Sequence, residues 1–322
     1  GVNSGNVIGT DGSNDAFNAN ERNIIAGNSG RGIVLDGANV VAGNWIGLKA
    51  DGTVLGNQFG LQITGTGSRV GTDANGTADT DERNVISGNS IDGIIMSSTS
   101  AIIAGNYIGT DPTGVLALPN QSHGIQINSG GTNNTIGGTT AAARNVISGN
   151  TSDGVTITGT GTTNNAVLGN YIGTNAAGTA DLGNAQQGLS IGAGATGNTI
   201  GGTTAGAGNV ISGNTGSGVT ITGSGTTGNT VAGNFIGVAG AVAPETVSGD
   251  VGVWHADGTG ADSSANSNSA TLVNGVTYVA GKSGQAWQFN GVSFALNQPQ
   301  VTVADHPSLK LHGEHGSVRR LQ

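Results

Sequence analysis

The feature that most constrains this chain is a short phrase repeated seven times, a glycine followed by apolar residues at alternate positions. The copies are Gly32-Ile-Val-Leu, Gly60-Leu-Gln-Ile, Gly93-Ile-Ile-Met, Gly124-Ile-Gln-Ile, Gly154-Val-Thr-Ile, Gly188-Leu-Ser-Ile and Gly218-Val-Thr-Ile. They recur with a period of about 31 residues, the length of one supersecondary unit in a solenoid. Two further short apolar segments accompany each copy, as in Asn145-Val-Ile-Ser-Gly-Asn and Asn165-Ala-Val-Leu-Gly-Asn. Strands this short, alternating with period two and broken by Gly-Asn, bury no face alone and are covered only when turns stack. The expected fold is all-β, a right-handed single-stranded parallel β-helix of about seven coils with three strands per coil.

The same spacing assigns a core. Ile33, Leu35, Leu61, Ile63, Ile94, Met96, Ile125, Ile127, Val155, Ile157, Leu189, Ile191, Val219 and Ile221 are the inward positions, stacked in columns about 4.8 Å apart. Alternate coils match one another better than neighbours do, which points to duplication of a two-coil unit. The asparagines that follow glycine, Asn89, Asn106, Asn150, Asn170, Asn214 and Asn234, suit left-handed bends and side-chain ladders between coils.

The phrases GNYIGTDPTG, NTIGGTTAAARNVISGN and GVTITGTGTTNN resemble the repeat-rich right-handed parallel β-helix proteins that bacteria export or display on their surface. The resemblance spans residues 1–238 and implies an extracellular or cell-surface location. It leaves function open, because pectate lyases, polygalacturonases, epimerases, phage tailspikes and adhesins share the fold. The first residues read as mid-repeat sequence, so the chain is expected to begin inside a longer protein. Residues 239–249 read as a linker. Residues 250–311, from VGVWHADGTG through VTVADHPSLKL, are similar to the opening strands of concanavalin A-like, laminin G-type jelly rolls, which implies a carbohydrate- or protein-binding module present in part. Half a sandwich leaves unpaired edges and is expected to be mobile; residues 312–322 are expected to be an unstructured tail.

Composition excludes several partners. The 62 glycines follow no triplet period, so the chain is not collagen-like. A net charge of −9 with only 10 Lys and Arg provides no basic footprint for nucleic acid or an anionic membrane. No apolar run reaches the roughly 20 residues of a membrane-spanning helix, and the absence of cysteine excludes disulfides and thiolate metal sites.

Three constellations are candidates for function. Arg31, Phe59, Asp92, His123, Asp153, Gln187 and Ser217 precede the repeated glycine on successive coils. Asp92, His123 and Asp153 would stand about 5 Å apart stepwise, which brings the carboxylates near the roughly 6.5–9.5 Å separation of an inverting glycosidase; the competing reading is ordinary turn chemistry. Asp73, Asn75, Asp79 and Asp81, with Glu82, alternate around a glycine turn and offer hard oxygens to calcium, the one candidate cofactor. The outward positions Gln62, Gln126, Thr156 and Thr220 form a polar, nearly uncharged face suited to neutral sugars. Ser190 lies in a G-x-S-x-G sequence, but as the sixth repeat copy it is expected on a plain strand rather than a nucleophile elbow. The leading expectation is a non-catalytic scaffold for binding a polysaccharide or cell-surface glycan; the alternative is a polysaccharide hydrolase or lyase acting through Asp92, His123 and Asp153.

Overall fold

The computed structural model describes residues 3–13 and 18–237, and past these the backbone of short strands between Gly252 and Arg320. Two compact units divide the chain, Gly1–Ala243 and Pro244–Gln322.

The first unit is a parallel β-solenoid of about seven turns, each turn giving one strand to each of three sheets. The first sheet stacks β1 (Val7–Gly9), β4 (Val40–Ala42), β7 (Arg69–Gly71), β10 (Ile102–Ala104), β13 (Thr135–Gly137), β16 (Ala166–Leu168), β19 (Thr199–Gly201) and β22 (Thr230–Ala232). The second stacks β2 (Ile24–Ile25), β5 (Trp45–Ile46), β8 (Val85–Ile86), β11 (Tyr107–Ile108), β14 (Val146–Ile147), β17 (Tyr171–Ile172), β20 (Val210–Ile211) and β23 (Phe235–Ile236). The third carries the repeated phrase in β3 (Arg31–Leu35), β6 (Phe59–Ile63), β9 (Ile94–Met96), β12 (Ile125–Ile127), β15 (Val155–Thr158), β18 (Leu189–Gly192) and β21 (Val219–Ile221).

Register in the third sheet is the one the spacing implies. Leu61 pairs with Ile94, Ile94 with Ile125, Ile125 with Val155 and Val155 with Leu189, and all five are fully buried. Each such side chain contributes roughly 1.5–3 kcal/mol by leaving water. Burial fades at the last turn, where Ile221 is 43% exposed. The glycine that opens the phrase has a steric cause. A Cβ at Gly124 would stand 2.7 Å from both the Gly154 carbonyl oxygen and Ile147 Cγ2, and one at Gly154 would stand 2.7 Å from the Gly188 carbonyl oxygen. Only a hydrogen fits between the next turn's backbone and the second-sheet isoleucine.

The two-coil period is visible in the loops. The connection from first to second sheet is long in odd turns, as between β7 and β8, and short in even ones; the connection from second to third sheet alternates the opposite way, as between β11 and β12. The long second-to-third loops lie over the second sheet's outer face, where Leu48, Val85, Tyr107, Val146, Tyr171 and Val210 form a separate apolar cluster. That sheet is therefore buried on both sides, which explains its two-residue all-apolar strands. Arg22, Arg83 and Arg144 stack on Trp45, Tyr107 and Tyr171, with guanidinium carbons 4.8, 4.2 and 4.2 Å from the ring centres.

The corners are built from asparagine. Asn23, Asn44, Asn84, Asn106, Asn145, Asn170, Asn209 and Asn234 each pass a side-chain N–H to the next member's Oδ1. A second ladder runs from Asn28 through Asn57, Asn89, Asn120, Asn150 and Asn184 to Asn214. A third joins Asn134, Asn165, Asn198 and Asn229. The ladders are as the sequence implies; the bends are not. The positive φ falls on the preceding glycines, 74° at Gly88, 72° at Gly105 and 75° at Gly149, and on none of the asparagines that follow them. Glycine takes the left-handed conformation without steric cost, which leaves the asparagine extended and able to reach the next turn.

In the second unit the described pairs are antiparallel: β24 (Gly252–Val253) with β30 (Ser317–Arg320), β25 (Ala270–Thr271) with β28 (Ala295–Leu296), β26 (Val276–Ala280) with β27 (Gln285–Phe289), and β29 (Leu309–His312) with β30. Of the stretch 312–322, expected to lack structure, Ser317–Arg320 is the strand β30. The 239–249 linker lies outside the described residues, as do the side chains on which the jelly-roll reading of 250–311 and its expected mobility turn. No helix among the described residues is long and apolar enough to cross a membrane.

Two measurements test this account. Asn120 is fully buried; its Oδ1 accepts the backbone and side-chain N–H of Asn89, at 3.2 and 2.9 Å. Asn120→Ala should cost on the order of 3 kcal/mol in denaturant unfolding, because buried donors lose their acceptor. Asn128→Ala, outside the ladders, should stay within about 0.5 kcal/mol. Asp111 anchors the loop over Tyr107. Burial raises its carboxyl, but hydrogen bonds from the Thr113 hydroxyl and the Leu116, Val115 and Thr113 amides outweigh this and hold it below the usual carboxylate range. With a lowered folded-state value, its contribution is present above that range and lost as pH falls through the lowered value. Asn175 does the same work two coils on, accepting from the Thr179 and Ala180 amides. Asp111→Asn should therefore flatten the acid limb of a melting-temperature profile below pH about 4 while leaving neutral stability nearly unchanged.

Candidate functional site

The third sheet's outer face brings most of the candidates together. Val34, Gln62, Ile95, Gln126, Thr156, Ser190 and Thr220 occupy one register column, one per turn. From Gln62 onward each is partly exposed. The flanking column holds Thr64, Ser97, Asn128, Thr158 and Thr222, and Asn128 Nδ2 donates to Gln126 Oε1 at 3.0 Å. By register the flanking column also takes Asp36 on the first turn and Gly192 beside Thr158; from Gln62 and Thr64 onward neither column contains a charge. Ser190 sits within β18 beside Thr156 and Thr220, so its G-x-S-x-G surroundings are a strand, as its place in the repeat implies.

The column before the glycine stays in register, and its side chains have a common task. Asp92 Oδ1 accepts the His123 N–H at 3.0 Å, His123 Nδ1 the Asp153 N–H at 3.3 Å, Asp153 Oδ1 the Gln187 N–H at 2.9 Å and Gln187 Oε1 the Ser217 N–H at 2.6 Å. Four successive side chains cap the next turn's amide at the strand entrance. Because Nδ1 receives an N–H, the neutral His123 ring carries its own proton on Nε2. Asp92 and Asp153 are 3% and 6% exposed, which fits caps better than carboxylates open to a substrate. One small cluster retains chemical capacity: Thr156 Oγ1 lies 2.9 Å from Asp153 Oδ2 and 3.1 Å from His123 Nδ1, and the latter two atoms are 3.7 Å apart. His123 stands between the two carboxylates in the column, in the place where an inverting glycosidase keeps its water.

The acidic loop is arranged differently from the expected calcium set. Asp73, Asp79 and Glu82 place one oxygen each within 4.8 Å of one another, and such a trio can share a hard cation. Asn75 and Asp81 are directed elsewhere. Asn75 Oδ1 accepts the Thr77 N–H at 2.7 Å, and Asp81 Oδ2 accepts from Asn18 Nδ2 at 3.4 Å. A local turn bond engages Asn75, and a contact with the β1–β2 loop 63 residues earlier engages Asp81. Glu82 is 1% exposed and pairs with Arg69, a partner thirteen positions earlier at 2.8 Å. The long β7–β8 loop folds back on its own turn to bring the two together, and no local motif announces it. In the β1–β2 loop, Asp11 Oδ1 likewise caps the Ser13 amide at 2.8 Å.

No family model matches the chain, and no curated protein matches it. Among solved structures, it is similar to the Azotobacter vinelandii mannuronan C-5 epimerase AlgE4 A-module, at 13% identity and a TM-score of 0.35, covering 71% of this chain and 77% of that one. At that level the likeness carries no argument about chemistry.

If the pre-glycine column is a set of caps, an acceptor is what each position requires. Asp153→Asn should remain within about 1 kcal/mol of the native stability, whereas Asp153→Ala, which strands the buried Gln187 amide, should lose about 2 kcal/mol. Urea titrations of the two variants make the comparison.

Proposed function

We propose that the solenoid binds a neutral polysaccharide or cell-surface glycan along the outer face of its third sheet. The observation that carries this reading is the mostly polar, uncharged outer surface of the third sheet, where Gln62, Gln126, Thr156, Ser190 and Thr220 share one column, interrupted at Ile95, beside Thr64, Ser97, Asn128, Thr158 and Thr222. From Gln126 to Thr220 four successive turns offer an amide or hydroxyl at a spacing of about 4.8 Å, and a hydroxyl-rich chain laid along them meets a hydrogen-bonding partner at each of these steps. Gln62, Gln126, Thr156 and Thr220 are the contacts proposed. An extracellular or cell-surface setting and a lectin-like role for residues 250–311 belong to the same proposal and rest on the sequence resemblances.

The second reading is a polysaccharide-cleaving enzyme, favoured by the Thr156, His123 and Asp153 cluster at the edge of the same face. Both readings are tested by incubating the full chain with a panel of neutral and acidic polysaccharides and recording co-sedimentation and reducing-end release. The expected result is retention on a neutral polymer, little changed by salt because no charge participates, and weakened about tenfold by Gln62→Ala with Gln126→Ala, for roughly 1.4 kcal/mol of lost hydrogen bonding. Cleavage abolished by Asp92→Asn with Asp153→Asn would install the enzymatic reading instead. Retention by none of the polymers, or retention indifferent to the glutamines, removes the binding face.

A further inference from the structure

We propose that Asn75–Gly76 is a site of self-modification, at which the Asn75 side-chain amide is lost through a cyclic imide to give aspartyl and isoaspartyl products. Asn75 is the only asparagine among the described residues that is followed by glycine. Gly76 matters because the attacking atom is its backbone nitrogen. With no side chain on that residue, whose φ is 86°, nothing beside the nitrogen crowds the approach of the neighbouring Asn75 side chain.

The loop surrounds the reacting atoms with the groups the step needs. Gly76 N–H donates to Asp79 Oδ2 at 3.1 Å, so a carboxylate already holds the proton that must leave. Thr77 N–H donates to Asn75 Oδ1 at 2.7 Å, polarising the carbonyl and standing where charge develops on that oxygen. Asn75, Gly76 and Thr77 are exposed, so water reaches the imide. In the first step the Gly76 nitrogen bonds to Asn75 Cγ as its proton passes to Asp79 Oδ2. The Cγ–Nδ2 bond then breaks, and the nitrogen leaves as ammonia after taking up a proton. One water opens the ring, either at Cγ to give aspartate or at the Asn75 backbone carbonyl to give isoaspartate. The balance is one amide and one water consumed, one carboxylate and one ammonium formed, with no change of oxidation state.

The ladder asparagines provide an internal contrast. Asn106 and Asn150 are fully or almost fully buried. Their Oδ1 atoms accept from the neighbouring turn, their Nδ2 groups donate to backbone carbonyls and to the next amide, and Tyr107 and Thr151 follow them. The modification also has a local consequence. Asn75 Nδ2 donates to Asp73 Oδ2 at 3.0 Å; a carboxylate in its place turns that attraction into repulsion and adds a charge beside Asp73, Asp79 and Glu82.

The test is to age the full chain at mildly alkaline pH, digest it under acidic conditions, and follow each asparagine peptide by mass and by chromatographic separation of the two isomers. The expected result is conversion at Asn75 far ahead of Asn106 and Asn150, with both isomers present. Asp79→Asn should slow it about tenfold, less than an enzyme's positioned base contributes because a carboxylate is a weak base. Gly76→Ala should slow it as well, through crowding at the attacking nitrogen. Peptide mapping reads Asn274–Gly275 and Asn290–Gly291, outside the described residues, separately. Conversion at Asn75 no faster than in the ladders overturns the site, and an unchanged rate in Asp79→Asn overturns the part assigned to that carboxylate.

Discussion

At the corners of the described turns, buried backbone amides need acceptors, and asparagine ladders supply them along two corners and part of the third. An asparagine is suited to this because its amide accepts and donates at once. Asn106 Oδ1 takes both N–H groups of Asn84, while its Nδ2 bonds the Val70 and Ala104 carbonyls and Asn145 Oδ1. Each member therefore completes the turn before it and depends on the turn after it. Isoleucine columns supply the larger share of burial and fix which residues face inward, but being non-directional they discriminate less against a two-residue slip, which the ladders also exclude. Strands of two or three residues suffice because the corners, rather than long backbone runs, specify how turns align.

The fold was legible because its period carries several independent signals. Apolar alternation defined the third-sheet columns down to individual pairs such as Ile125 with Val155, and the Gly-Asn dipeptides located two corners. The third ladder was harder to see, since Asn134 and Asn165 follow asparagine rather than glycine. The stacks of Arg22, Arg83 and Arg144 on aromatics one turn later also escaped a reading of strands, although their even spacing was present in the sequence. The outer cluster over the second sheet depends on loops folding back across it, and no local pattern reports that.

The candidate site was legible in position and not in role. Asp92, His123 and Asp153 do lie in one column, yet Gln187 continues the column and performs the same capping. Spacing can place carboxylates near one another, but it cannot say whether an oxygen is free or already bound to the next turn's amide. The acidic loop shows the same limit. Counting oxygens along the chain grouped Asn75 and Asp81 with Asp73 and Asp79, whereas turn bonds and the arrival of Arg69 beside Glu82 divided the set differently.

These two outcomes bear on how function is distributed over a repeat of this kind. In a solenoid, any side chain close to a corner competes for unsatisfied backbone groups, and a polar residue there is used for structure first. Residues in the middle of a strand face no such demand, because the sheet already pairs their backbone. The outward column of the third sheet is therefore where side chains are left available to a ligand, and its lack of charge follows the low charge of the whole chain, 9% of residues. On the proposed binding reading, a face of this composition would gain little from long-range attraction and would recognise its partner by short hydrogen bonds, which is why the proposal names an extended polymer of neutral sugars rather than a small charged ligand.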